Sequence, residues 1–408
     1  MTPASPPTRT AVRIALGLTA ALLFTVVILT AALSDLRGYD FITFYTGGLI
    51  VRQGNASRLY DLDEQARIER QVLNRGDLLM YLHPPFEAYW FAPLARLSYV
   101  RAYVLWGAVN VLIWLLFQDV FRRYAPIPKH PFHYFLLCSL FFPLWVALMR
   151  GQTSVLLLLL FSLTFICLKR RQDYWAGIFL GLGLFKFAIV LPFALICLLR
   201  GKWKLMAGFA ITACSLGLLS VVAVGPGAVR SYVNLLIQSI RDPANPLYGD
   251  NFNVWGMPTI GGFFATLLNC RLPTVSVSMM ASAVSLCLVL FAAWRWRRED
   301  RRPGEDSSDP MFGAALAVSV VTAPHLYLHD LTLMLMAVLL VIGSSHWPEN
   351  WRERKVLTAA MLILYTAPLY LLLLQWKAMY LIALVLVAFA LAAIDLARKA
   401  ASPTTSTS

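Results

Sequence analysis

The side chains able to do chemistry stand between long apolar runs of this chain, and most are flanked by glycine, proline or aromatic residues. Asp40 lies in GYDFITFYTGGLIVRQGNASRLYD, residues 38–61, just beyond the first apolar run. An acid there either caps a membrane-surface helix that embeds Phe41, Phe44 and Tyr45, or serves as a general base toward a hydroxyl. Arg150 and Gln152 belong to RGQT, residues 150–153, a junction of almost no length between two apolar runs. Its guanidinium either snorkels to the interface or clamps a phosphate. Lys186 interrupts YWAGIFLGLGLFKFAIVLPFALICLL, residues 174–199. An ammonium inside such a run is a functional candidate and would offer the same phosphate a second cation.

Three further stretches are polar where an apolar chain has little reason to be. His325, His329 and Asp330 share APHLYLHD, residues 323–330, as a structural hydrogen-bond cluster or as part of a site. His83 precedes two prolines in YLHPPFEAYWFAPLARL, residues 81–97, where the prolines open a short helix and Pro93 ends it. Asn253 and Trp255 close NPLYGDNFNVWG, residues 245–256, whose side chains suit either sugar hydroxyls and a pyranose face or an ordered interfacial loop. Asp61-Leu62-Asp63 resembles a DxD metal motif, but DLDEQARIERQVL reads better as a capped surface helix.

The elements that must position these groups follow from composition. Of 408 residues, 59% are hydrophobic and 14% charged, and the mean hydropathy is +0.66, which describes a polytopic membrane protein. The formal charge of +14 resides in short basic clusters between apolar runs, the pattern of orientation signals and not of nucleic-acid binding. The six cysteines show neither a CxxC pair nor ligand-like spacing. A crossing needs roughly 20 apolar residues. Such runs occur near 11–33, 99–121, 131–149, 153–168, 205–224, 273–294, 309–323, 328–344, 354–373 and 378–396, ten in all. With residues 1–10 and 399–408 as disordered cytoplasmic tails around a single domain, 11–398, every basic cluster falls on the cytoplasmic side.

Residues 174–199 have basic clusters at both ends, so the same rule makes them a pair of half-spans meeting near Lys186. Arms of about 12 residues climb about 18 Å, which stops the lysine inside the membrane or near its outer face. The external loops are then 34–98 and 225–272. Asp40, His83, Arg150, Gln152, Lys186, Asn253, Trp255, His325, His329 and Asp330 all land on one side, as around an external cavity fed from lipid.

The order of GYDFITFYTGG, LYD, HPPFEAYWFAPLARL, RGQTSVLLLLL, AGIFLGLGLFKFAIVLPFALICLLRGKWK and the Asn/Trp loop resembles glycosyltransferase family 87, over most of residues 35–335. The resemblance implies an all-α GT-C fold and transfer of mannose from a polyprenyl-phosphate donor without a cofactor or metal. It places the family's acid on Asp40, its lysine on Lys186 and its late histidine on His325. The expected site is Asp40 as base, with Arg150, Lys186 and His325 on the donor phosphate. Tyr45, His83, Gln152, Asn253, Trp255, His329 and Asp330 are expected to contact substrate. The expected acceptor is a glycolipid or glycan hydroxyl at the external face of the cell membrane. Alternatives are another lipid-linked sugar such as a pentose, a transporter or flippase, and a non-catalytic scaffold.

Overall fold

A computed structural model describes residues 9–33, 40–73, 78–125, 131–241, 253–299, 308–344 and 351–400. Among them there are helices and turns but no strand. In chain order the α-helices are α1 (Arg9–Leu33), α2 (Phe41–Arg52), α3 (Leu62–Leu73), α4 (Pro85–Phe91), α5 (Tyr99–Phe121), α6 (Pro131–Ser139), α7 (Phe142–Met149), α8 (Ser154–Lys169), α9 (Asp173–Leu182), α10 (Phe187–Leu199), α11 (Trp203–Arg241), α12 (Ile260–Leu268), α13 (Thr274–Glu299), α14 (Ser308–Val321), α15 (Met334–Ile342), α16 (Trp351–Tyr365), α17 (Ala367–Gln375) and α18 (Ile382–Ala400).

Two apolar cores form. The larger gathers α8, α10, α14, α15 and α18. Met311, Phe312, Leu316, Val320, Leu331, Met334, Leu335 and Val338 are sealed within it, as in helices apolar on every face and surrounded by protein. The smaller core joins α2, α3, α4, the start of α5 and the far end of α11 through Phe41, Phe44, Tyr60, Tyr81, Phe91, Tyr103 and Tyr232. Helices α11 and α13 turn Leu218, Leu219, Val222, Val275 and Met279 outward, apolar groups suited to lipid.

The expected count of ten spans is not confirmed. By length and hydropathy, five helical stretches of the described residues qualify to cross a membrane, or six if a bent pair is one span. The apolar run at 131–149 is broken between α6 and α7, where Phe142-Pro143 opens a new helix. The run at 354–373 becomes α16 and α17, bent by 71° ahead of Pro368. Residues 225–272 are not one loop: helix α11 resumes beyond Gly225 and continues to Arg241, and α12 follows. Gly38, Tyr39 and residues 245–252 of the quoted stretches, and residues 1–8 and 401–408 of the two tails, lie outside the described residues, whereas Arg9, Thr10, Lys399 and Ala400 extend α1 and α18.

Residues 173–199 are long and apolar enough for a single crossing. Their packing shows that they double back. Gly177 abuts the carbonyl of Leu205, Gly208 abuts that of Tyr174, and a Cβ on Gly181 would stand 2.7 Å from Cβ of Thr212. These pairs advance together, so α9 and α11 run parallel with their starts side by side. A straight 27-residue helix would carry Leu199 about 40 Å from Asp173, which the three residues before Trp203 could not recover at under about 11 Å. Helix α10 therefore returns from a 3-10 turn at Gly183–Lys186, and Lys186 sits at the tip of a helical pair, as the basic clusters led us to expect.

Candidate functional site

The tip of that pair meets the junction between α7 and α8. Gln152 N donates to Ala147 O at 2.9 Å and Gly151 N to Leu148 O at 3.1 Å, which closes the turn within three residues. Gly151 has φ +67°, and a Cβ there would lie 2.8 Å from Cβ of Phe41, so both conformation and space call for glycine. The indole of Trp106 donates to Gly151 O at 2.8 Å and the hydroxyl of Tyr103 to Met149 O at 2.7 Å. Phe41 N donates to Arg150 O at 3.0 Å, tying the start of α2 to the same turn.

This stitching sets the direction of Asp40. The residue occupies the N-cap position of α2 in helical conformation, and its side chain makes no capping bond. Instead Oδ1 accepts from Arg150 Nη1 at 3.0 Å and Oδ2 from Gln152 Nε2 at 2.7 Å. The expectation of a surface-lying helix is corrected: nine of the twelve residues of α2 are buried in protein. Phe41 packs on Phe91, Tyr99 and Tyr103, and Phe44 stacks on Phe91 at 4.8 Å.

From Gln152 the network closes on itself. Lys186 Nζ donates to Gln152 Oε1 at 3.0 Å and to Asp330 Oδ1 at 2.8 Å, and Ser154 Oγ donates to the same Asp330 oxygen at 2.7 Å. His329 lies between the two acids, with Nε2 3.3 Å from Asp330 Oδ2 and Nδ1 3.6 Å from Asp40 Oδ2. Asp40, Gln152, Lys186, Asp330 and His329 thus form a closed ring, with Arg150 attached at Asp40. The amide orientation follows from charge, its oxygen toward the ammonium and its NH₂ toward the carboxylate. His329 and Asp330 are carried by a 3-10 turn, Leu328–Leu333, before α15, and both are buried.

Burial alone would raise the carboxyl of Asp40. Arg150, His329, Gln152 and Lys186 together outweigh it and hold the group below the ordinary carboxylate range. His325 is partly buried and stacks edge-on to Tyr327 at 5.0 Å. Desolvation lowers its pKa to about 4 against the pull of Asp330, with Lys186, His329 and His83 adding to the lowering.

Of the expected site residues, the structure brings Asp40, Arg150, Gln152, Lys186, His329 and Asp330 into direct contact. His325 and His83 stand close by. Asn253 reaches the histidines through Tyr327, whose hydroxyl accepts from Asn253 N at 2.9 Å, and Trp255 lies under Lys377 at 5.9 Å. Tyr45 is not brought to the ring: its hydroxyl donates to Leu97 O at 2.9 Å and its ring packs on Phe41 and Tyr99. Asp61 accepts from the backbone N–H groups of Asp63 and Glu64 and so caps α3. Sequence reasoning missed Ser154, which reads as part of the apolar run 153–168, and Glu87, whose i, i+4 spacing from His83 was the available signal.

The end of the molecule bearing this ring lies opposite the end bearing the basic clusters. Helix α8 runs from Ser154, at Asp330, to Lys169, which pairs with Asp309 at 2.6 Å at the start of α14. Near Lys169, Arg170 donates to Tyr124, and Arg200 covers Trp296, itself packed on Phe312 of α14. Comparison of the chain with curated proteins and with solved structures returns no match. The profile of glycosyltransferase family 87 matches residues 81–324, more than half of the chain, spanning His83, Arg150, Gln152, Lys186, Asn253 and Trp255. With an all-helical, membrane-suited fold that gathers these residues at one end, the chain belongs to glycosyltransferase family 87.

Proposed function

We propose that this membrane glycosyltransferase moves mannose from a polyprenyl-phosphate donor to a hydroxyl of a glycolipid or glycan, with inversion at the anomeric carbon, on a GT-C-type fold. The observation that carries the reading is the closed ring in which Asp40 meets Arg150, Gln152 and His329 while Lys186 is held one step away. The placement of basic residues at the other end supports an external active face in the cell membrane, by the positive-inside tendency.

In the resting ring each carboxylate is matched with a cation, which keeps Asp40 a weak base. A donor phosphate competes for Arg150 and Lys186. As Arg150 turns to the phosphate, Asp40 loses the strongest influence lowering its pKa and becomes more basic. It then takes the proton of the acceptor hydroxyl while that oxygen forms a bond to the anomeric carbon. The bond from that carbon to the phosphate oxygen breaks on the opposite face, and its electron pair leaves with the phosphate. Gln152 and Ser154 hold the ring members in register, and buried His329 separates the two acids.

The test is transfer from polyprenyl-phosphate-mannose by the purified protein, with the corresponding glucose and pentose donors beside it. Comparing glycolipids and polysaccharides of a deletion strain with its parent then identifies the acceptor. A protein inactive with every lipid-linked sugar, in a membrane where a solute flux changes on deletion, would return the transporter reading.

A further inference from the structure

Glu87 is wholly buried, and apart from the His83 contact neither of its carboxylate oxygens has a hydrogen-bond partner. Its one ion-pair partner among the described residues is His83, whose Nδ1 stands 2.9 Å from Oε2, while the phenols of Tyr60, Tyr81 and Tyr232 lie near enough to feel its charge. An unpaired carboxylate in an apolar site is costly, and a carboxylate beside an imidazole draws the ring proton to the nitrogen facing it. The backbone under His83 is fixed: Tyr60 donates its hydroxyl to His83 O at 2.6 Å, and Tyr81 donates to Pro84 O at 3.1 Å. The ring itself packs on Phe44 at 4.6 Å, one helical turn along α2 from Asp40. The far end of α4 touches the lysine-bearing tip, with Trp90 edge-on to Phe185 at 5.3 Å. The side chain of His83 retains 22% exposure, and its Nε2 has no partner among the described residues.

Resting on the lipid-linked donor reading, we infer that His83 is a sugar-contacting residue and that Glu87 is the positioning residue that fixes its tautomer. With the proton on Nδ1 facing Glu87, Nε2 is a lone-pair acceptor. It takes a hydrogen bond from a hydroxyl of the donor sugar, whereas the phosphate, itself an acceptor, belongs to Arg150 and Lys186. The pair thereby separates recognition of sugar from recognition of lipid phosphate, and Glu87 acts without touching substrate.

The experiment measures equilibrium binding to the full-length protein in nanodiscs of two probes, a polyprenyl phosphate and its mannosyl ester. His83→Ala is expected to weaken the mannosyl ester about tenfold, the worth of one lost polar contact, and to leave the bare phosphate unchanged. Glu87→Gln and Glu87→Leu are expected to show the same selective loss. A Glu87 with a purely structural role would lower Tm and leave the preference between probes intact. Equal loss of both probes in His83→Ala, or loss of neither, overturns the inference. A wild-type protein that binds neither probe overturns the donor reading and this inference together. A wild type that distinguishes the probes alongside variants that do so equally well overturns the inference alone.

Discussion

Asp40 shows how a single residue acquires a role that its local sequence leaves open. Asp40 at the head of a helix has the composition of a cap, yet its carboxylate is committed to Arg150 and Gln152, 110 and 112 residues away. Asp40→Asn keeps the size and one acceptor oxygen; transfer is expected to fall at least about 100-fold with little change in Tm, as loss of a general base requires. His325 offers a stability test. Its folded pKa of about 4 lies below the ordinary 6.5, so between those values the unfolded chain binds more protons and stability falls as pH drops. The loss is no more than about 3 kcal/mol, and melting of His325→Asn between pH 6.5 and 4 is expected to be flatter than wild type. The acids, cations and histidines of the ring were legible because charge is conspicuous in an apolar chain. Tyr45 stands apart from the ring, since an aromatic residue beside a candidate base looks the same in sequence whether it faces substrate or core, and here its hydroxyl is spent on Leu97 O.

Among the elements, the junction at Arg150-Gly151-Gln152-Thr153 and the α9–α10 pair do most to place the ring. Gly151→Ala introduces a side chain at φ +67° and against Phe41, so a destabilisation of about 1–3 kcal/mol is expected, read as a lower Tm in detergent. Because the same turn aims Arg150 and Gln152 at Asp40, activity at permissive temperature is expected to fall with it. Proline signals were reliable, as Pro84-Pro85 opens α4 and Pro93 follows its end, whereas of the two candidate caps Asp61 caps α3 and Asp40 does not cap α2. Apolar length was not. The runs at 131–149 and 354–373 are broken, and α2 is buried in protein where amphipathic composition suggested a membrane surface. Hydropathy measures distaste for water and does not distinguish lipid from protein as the alternative.

Across the whole molecule, the doubling back of residues 173–199 decides which end receives Lys186. If the pair returns to its starting side, Gln172 and Lys204 share one face and Gln53 lies on the other. In a background with the native cysteines replaced, an impermeant thiol reagent is expected to reach Gln172→Cys and Lys204→Cys from the same side and Gln53→Cys from the opposite one. Labelling of Gln172→Cys and Lys204→Cys from opposite sides would require a single crossing. The sequence by itself determined the membrane class, the family resemblance, most of the polar residues that meet in the ring and the fold-back at Lys186, because hydropathy, basic clusters and proline act over a few residues. Only the tertiary structure decided that Asp40, Gln152, Lys186, His329 and Asp330 close into one ring, that Glu87 stands behind His83, and that α2 is internal. Those outcomes depend on which distant helices pack together, as Gly177 on Leu205 and Ser154 on Asp330 do, and no local pattern carries the contact of residues 176 positions apart.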